Sequence, residues 1–402
     1  MSFVKQNHDH KPFIDTVFKI NTLANERKKA GYDVINATIG SLCDENGNLV
    51  AYKTVFNDLN KMDNRLKASY PDDLKGNKRF LEDVYHFVIE DNCPSLHHFT
   101  IATPGGSGSI SSTIKAILDD GNSLIIPNIA WGSYSLMASE NHLKPVYYNM
   151  FKNNKFDLVD LKVKIKNVVN NEGKALVIIN DPLQNPTGYS MTLKEWSNLI
   201  NFANNLNGKV VILNDIAYLD YSFNKKSKEY MCLFNNINEN IAIVVAFSGS
   251  KTMTSYGIRY GASIILTKKY DDGQEILNVL EKISRATWSC VNNGGMNSFV
   301  NMYENYYQQF IKEKQKYINL LKKRSRILLS EAKKYSIPLY PYKEGFFVTI
   351  KCNNNIERDA LFDKLIDKDI YLVKVNLGLR IAVCSLPINK CQIIMQKIKE
   401  VL

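Results

Sequence analysis

A chain of 402 residues with 45% hydrophobic and 23% charged side chains can bury two substantial cores, and its composition excludes a fibrous or low-complexity protein. No run reaches the ~18 apolar residues that a bilayer span needs. The opening MSFVKQNHDHKPF lacks the apolar centre of a secretory leader, so the expectation is a cytoplasmic protein with no membrane partner. Seven scattered cysteines without a CxxC pair fit reduced thiols. The net charge of +11 is spread along the chain, and its densest cluster, KKRSR (Lys322 to Arg326), lies in a helical pattern. It reads as a solvated helix face and gives no nucleic-acid site. Neither HDH at the start nor His97-His98 has further ligands at metal-site spacing, so no metal is expected.

In chain order, residues up to about 50 are expected to pack with the C-terminal part. The runs NSLIIP (122–127), ALVII (175–179), KVVIL (209–213), IAIVVAF (241–247) and ASIIL (262–266) are short and rich in β-branched residues, as fully buried strands are. Helical patterns lie between them, among them SISSTIKAIL and TLKEWSNLINFANNL, the latter with Thr192 and Glu195 at capping-box spacing. This alternation predicts an α/β fold with a large, doubly wound, mostly parallel sheet over residues 51–297. One long helix is expected over 298–335, followed by strands FFVTI, YLVKV and LRIAV with the helix ERDALFDKLIDK between the first two. Residues 1–50 and 298–402 are read as a smaller α+β domain.

In open α/β sheets ligands bind beyond the carboxyl ends of the strands. Three consecutive strands here deliver polar groups at that end: Asn185 after ALVII, Asp215 and Tyr218 after KVVIL, and Ser248, Lys251 and Arg259 after IAIVVAF. Singly each has a plain structural reading, as a turn asparagine, a helix cap or a surface lysine; together they suggest one site. Upstream, TPGGSGSISST (103–113) opens a helix with residues small enough for backbone N–H groups to approach an anion, and Arg259 would add a fork suited to phosphate. A phosphate cradle, an amine, a carboxylate and a phenol in one place suggest pyridoxal phosphate, with Lys251 forming a Schiff base with its aldehyde. Trp131 offers an indole face for its ring.

At these residues the chain resembles the fold-type I pyridoxal-phosphate aminotransferases of class I/II, and within them the aspartate and aromatic aminotransferase group. INATIGSLCDENGNLVAYKTV, ASYPDDLKG, GGSGSI, NIAWGSY, NPTG, DIAY, the stretch from SGSK to Arg259, SRATWS and LRIAV follow in the family's order across nearly the whole chain. The resemblance implies that Lys251 binds the cofactor and moves the proton at the substrate's α-carbon. It implies that Asp215 partners the ring nitrogen and that Tyr218 and Asn185 serve the ring oxygen. Ser107, Gly108, Ser109, Ser248 and Arg259 are implied as the phosphate shell, and Trp131 as the aromatic over the ring. Tyr70 matches a tyrosine that reaches the phosphate of the neighbouring subunit, which implies a homodimer with shared sites. For substrate, Arg380 matches the arginine on the α-carboxylate, Gly40 a glycine lining the pocket, and Arg285 the arginine given across the dimer to a distal carboxylate. Asn185 is implied on the substrate side as well as at the ring.

The implied reaction is transfer of an amino group between an amino acid, aspartate or glutamate or an aromatic one, and 2-oxoglutarate. The chain departs from the family in having Tyr134 where a histidine often backs the aspartate, Ala130 where serine is common, and NDPLQ before NPTG. These departures leave the amino donor open. Two alternatives are a lyase or decarboxylase using the same cofactor and lysine, and a non-catalytic regulatory protein on the same fold.

Overall fold

The computed structural model describes residues 3–4 and 8–402; residues 1–2 and 5–7 of the stretch read above for a leader lie outside the described residues. The chain opens with α1 (Thr16–Lys29), whose N-terminal N–H groups on Val17 and Phe18 are capped by the Asp15 carboxylate, and with the short strand β1 (Ile35–Asn36). Helices α2 (Lys53–Lys61), α3 (Asn64–Ala68) and α4 (Lys78–Ile89) lead to β2 (His97–Thr103). Next come α5 (Gly105–Ile117), β3 (Ser123–Pro127), α6 (Ser133–Glu140), β4 (Lys144–Tyr148) and the hairpin of β5 (Phe151–Lys152) and β6 (Lys155–Phe156). Strand and helix then alternate through α7 (Leu158–Glu172), β7 (Lys174–Asn180), α8 (Leu193–Asn204), β8 (Lys209–Asp215), β9 (Ile241–Ser248), α9 (Gly249–Thr252) and β10 (Gly261–Thr267). Three helices follow, α10 (Tyr270–Thr287), α11 (Asn293–Asn305) and α12 (Tyr307–Lys334). The last part holds β11 (Phe347–Lys351), α13 (Asn355–Ile366), β12 (Ile370–Tyr371), β13 (Val373–Val375), β14 (Gly378–Ala382) and α14 (Ile388–Lys399). Among the described residues no helix is long and apolar enough to cross a membrane.

The large sheet has the order β2-β10-β9-β8-β7-β3-β4 and is parallel except for β10, which runs antiparallel to both neighbours. The exception follows from the link: residues 249–260 hold only the one-turn helix α9, too little for the crossover that a parallel return needs. Successive residues of the central strands serve opposite faces. Leu176, Ile178, Val211 and Leu213 pack with Ile110 and Ile114 of α5 and Leu280 of α10; Val177, Ile179, Val210 and Ile212 pack with Ile165 of α7 and Trp196 of α8. Each such side chain, fully withdrawn from water, contributes roughly 1.5–3 kcal/mol, and together they fix the strand register. The expected capping box forms, Thr192 and Glu195 each bonding the other's backbone N–H.

A second, antiparallel sheet has the order β11-β14-β13, and β1 pairs in parallel with β12, which ties residues 35–36 to residues 370–371. Three expectations change here. The helix expected over 298–335 is two helices, broken at Tyr306, because α11 packs on α2 and α4 while α12 packs on α14. YLVKV is two strands that part at Leu372 to join different partners. KKRSR is not a wholly solvated face: Arg324 is 0% exposed, turned inward beside Leu321, Ser325 and Leu328.

Arg324 donates to the carbonyls of Cys43, Asp44 and Cys384 and twice to Glu45 Oε1, at 2.7–3.0 Å. It thereby binds the loop after Gly40 to the end of β14. Arg324→Leu strands those buried carbonyls and should destabilise the protein by about 3 kcal/mol or more in urea unfolding. Glu45→Gln, at an exposed partner, should cost no more than about 1 kcal/mol.

Candidate active site

Strands β7 and β8 end level, Asn180 beside Asp215. Strand β9 passes Ala246 beside Asp215 and runs two residues further to Ser248, so the three strand ends face a common cavity. That cavity, of about 350 Å³, is lined among others by Trp131, Asn185, Tyr218, Ser248, Lys251 and Arg259. An adjoining cavity of about 590 Å³ shares Trp131 and Asn185 as a wall and is lined by Arg380 and by Thr16 and Val17 of α1.

Asp215 is buried, and its Oδ2 accepts a 2.5 Å hydrogen bond from the Tyr134 hydroxyl while Oδ1 accepts from the Ala217 N–H. Burial pushes the carboxyl up, and those two donors, with the Lys251 ammonium, oppose it. Tyr134 thus fills the backing role that the family often gives to histidine. Lys251 sits on α9, its Nζ donating to the Gly40 carbonyl at 2.8 Å and lying 4.7 Å from the centre of the Tyr256 ring. Burial lowers its amine to about 8, and the charges of Arg380 and Arg259 push the same way. Burial also raises the Tyr218 phenol.

The anion end is built from α5 and the loop after α9. Arg259 has a left-handed backbone (φ +61°) and donates to Ser250 Oγ and the Tyr256 carbonyl, both at 2.9 Å. Gly105, also left-handed (φ +73°), lies so close that a Cβ there would stand 2.8 Å from Arg259 Nη2; only glycine lets the guanidinium and the start of α5 share this corner. The N–H groups of the first turn of α5 have no partners within their own helix, as an anion site requires. The lining starts one residue earlier than the sequence suggested and keeps only Ser107 of the three residues named. Gly106 and Ser107 line the cavity, whereas Gly108 backs onto Pro104 and the Ser109 hydroxyl is hydrogen-bonded to Ser263 Oγ (2.7 Å) in the core. In the helix begun at Gly105, Ser109 turns toward β10 of the sheet, which removes it from the cavity, while its neighbour Ile110 still lines it.

Arg380 on β14 is 6% exposed; its Nη1 donates to Asn185 Oδ1 (3.1 Å), its Nη2 to the Thr38 carbonyl (2.7 Å), and its guanidinium lies 4.4 Å over the Phe347 ring. Its buried Nε has no hydrogen-bond partner among the described residues. Gly40 comes so near Phe347 that a Cβ there would meet the ring at 2.7 Å. Besides Gly108 and Ser109, two further residues are not brought to these cavities within one chain. Tyr70 is 83% exposed, and Arg285, at the exposed end of α10, donates to Ser289 Oγ.

Sequence reasoning missed Asn180 and Tyr256. Asn180 Nδ2 donates to the Asp215 carbonyl and its Oδ1 accepts the Asn185 N–H, both at 2.8 Å, so it joins the two loops. It ends the same strand that led to Asn185, which was the available signal. Tyr256 accepts the Leu42 N–H at 2.9 Å and so holds the Gly40 loop near Lys251, a contact between segments far apart in sequence.

The arrangement joins an anion cradle, an amine whose pKa is lowered and a buried carboxylate. Acetylation of cofactor-free protein over a pH series, read by mass spectrometry, should show Lys251 reacting with a midpoint near pH 8, below which the ammonium form protects it. Exposed lysines should show midpoints near the ordinary ~10.4.

The comparisons with known proteins agree with this picture. The mitochondrial aspartate aminotransferase of Saccharomyces cerevisiae is 24% identical over 269 residues, 60% of this chain and 58% of that protein. The aspartate aminotransferase of Bacillus subtilis is 27% identical over 258 residues, 61% of this chain and 60% of that protein. The chain is thus matched to less than two thirds of the length of these curated relatives. A crystal structure of an aminotransferase from Anaerococcus prevotii superposes with a TM-score of 0.94 at 28% identity, covering 100% of this chain and 99% of that one. The model of the aminotransferase class I and II family, whose enzymes use pyridoxal phosphate, matches residues 32–398, and the chain belongs to that family.

Proposed function

We propose that the protein is an aminotransferase that moves an amino group between an amino acid, aspartate or glutamate or an aromatic one, and 2-oxoglutarate, with pyridoxal phosphate as cofactor. The observation that carries this reading is a buried amine lowered to about 8, standing in one cavity between a carboxylate and an anion cradle. The cofactor's chemistry fits that donor set: it supplies an aldehyde that takes up amino groups and a ring that draws electrons from the substrate's α-carbon. Arg259, Ser107, Ser248 and the first N–H groups of α5 would hold its phosphate. Asp215, braced by Tyr134, would keep a proton on its ring nitrogen, Tyr218 and Asn185 would serve the ring oxygen, and Trp131 would cover the ring.

Lys251 would bind the cofactor covalently and, once displaced by substrate, carry a proton to and from the α-carbon. The Gly40 carbonyl holds the Nζ of Lys251 in the meantime. Arg380, which lines the adjoining cavity and meets no carboxylate among the described residues, would grip the substrate's α-carboxylate. Residues 51–297 would act as the cofactor-binding domain, with residues 1–50 and 298–402 as the small domain that brings Arg380 and Gly40 to it. Tyr70 and Arg285 both stand exposed on a single chain, which supports a homodimer in which each reaches the partner's site. A cytoplasmic location is supported by seven cysteines none of which is paired in a disulfide.

Purified protein loaded with cofactor should show a visible absorption band that an amino acid alone bleaches, with keto acid formed and no free ammonia. Lys251→Ala should lose the band and all measurable turnover, and a variant that still turns over refutes the mechanism. Arg285→Leu should raise KM for aspartate by about tenfold to a hundredfold, the worth of one charge-assisted pair. Aromatic substrates should be spared, and unchanged aspartate kinetics would remove Arg285 from the site.

A further inference from the structure

Lys251 lies on α9, a helix of 4 residues, and so short a helix cannot fix its own geometry. Its position is set by what grips its neighbours. The Tyr221 hydroxyl donates to the Lys251 carbonyl at 3.1 Å, and it is itself hydrogen-bonded to the Tyr52 hydroxyl at 2.9 Å. One residue further on, the Thr252 hydroxyl donates to Asp220 Oδ2 at 2.8 Å. The other oxygen of Asp220 accepts from Lys314 Nζ at 2.7 Å, and both side chains are nearly closed to solvent, at 8% and 9% exposure. Lys314 belongs to α12, where it takes a place in the buried stripe between Phe310 and Ile318, and its ammonium lies 4.9 Å from the Phe310 ring.

A lysine in that stripe is expensive to bury and would ordinarily be an apolar residue. Burial pushes the Asp220 carboxyl up, yet the ammonium groups of Lys314 and Lys228, with the hydrogen bonds from Lys314 and Thr252, hold it below its ordinary value. The carboxylate therefore stays charged, with one oxygen on the helix and the other on the turn that carries Lys251. We propose that Lys314, Asp220 and Thr252 form a positioning unit for Lys251: α12 holds Asp220, Asp220 holds Thr252, and Thr252 fixes where the Lys251 amine enters the cavity. The unit rests on the reading of Lys251 as the amine that captures the cofactor. Further along the same helix, Arg324 binds the loop after Gly40 and the end of β14, so α12 contacts both the turn bearing Lys251 and the segments bearing Gly40 and Arg380.

The test uses Thr252→Val, which removes the hydroxyl at nearly constant shape, Thr252→Ser, which restores it, and Lys314→Met. Melting temperatures are recorded, and assays are run well below them. Cofactor-free protein is mixed with pyridoxal phosphate, and capture is followed by the visible band and by borohydride trapping of the Lys251 peptide. Thr252→Val should slow capture by about tenfold, the scale of a small misplacement of a reacting group. It should lower kcat while leaving KM for the amino acid near wild type, and Thr252→Ser should recover both. The double variant should be no worse than Lys314→Met alone. Variants that melt earlier but capture cofactor at the wild-type rate would overturn the unit and leave an ordinary core ion pair. Should Lys314→Met fail to fold, the Thr252 pair still decides. Wild-type protein that captures no cofactor at Lys251 would overturn the functional reading itself, a separate result from unaffected variants of a competent wild type.

Discussion

The register of β7, β8 and β9 is the constraint on which the site depends. Their valines, isoleucines and leucines alternate between two cores, so slipping any strand by one residue would turn both rows to the wrong side. The same pattern that fixes the apolar rows therefore fixes where the strands stop, with Asn180 beside Asp215 and Ser248 next along. Polar groups at those stops need no separate instruction to meet. Asn180 then ties the Asn185 loop to the end of β8, and the short link after β9 returns antiparallel, carrying Lys251 and Arg259 past the same edge.

Charge pairing separates two kinds of arginine. Arg27, Arg79 and Arg324 each pair with a carboxylate distant in the chain, and they hold segments together. Among the described residues Arg380 is met by an amide oxygen, a carbonyl and an aromatic face, and Arg259 by a hydroxyl and carbonyls. Neutral partners fix the direction of a guanidinium without spending its charge, which stays available to an incoming carboxylate or phosphate.

The central strands were legible because burial on both faces leaves continuous apolar runs, and the residues after them were legible because strand ends are where α/β folds place ligands. β2 and β4 escaped notice because they lie at the sheet edges, where solvent-facing residues break the pattern. The break at Tyr306 has no glycine or proline to announce it; it follows from the different neighbours of α11 and α12. Lys314 and Arg324 look like surface cations in sequence, since nothing local reveals that a carboxylate or a set of carbonyls waits opposite. Ser109 was misjudged for a geometric reason: which turn of α5 faces the cavity depends on where the helix starts.

Tyr134 gives the site a property that an imidazole brace would lack. A histidine against Asp215 would itself gain or lose a proton within the working range, and the carboxylate's surroundings would change with it. Burial and the neighbouring carboxylate raise the Tyr134 phenol well above its ordinary value, so near neutral pH it remains a donor to Asp215. The mount beneath the carboxylate adds no titration of its own near neutral pH, and the Lys251 amine is a group through which a shift of the medium reaches the cavity.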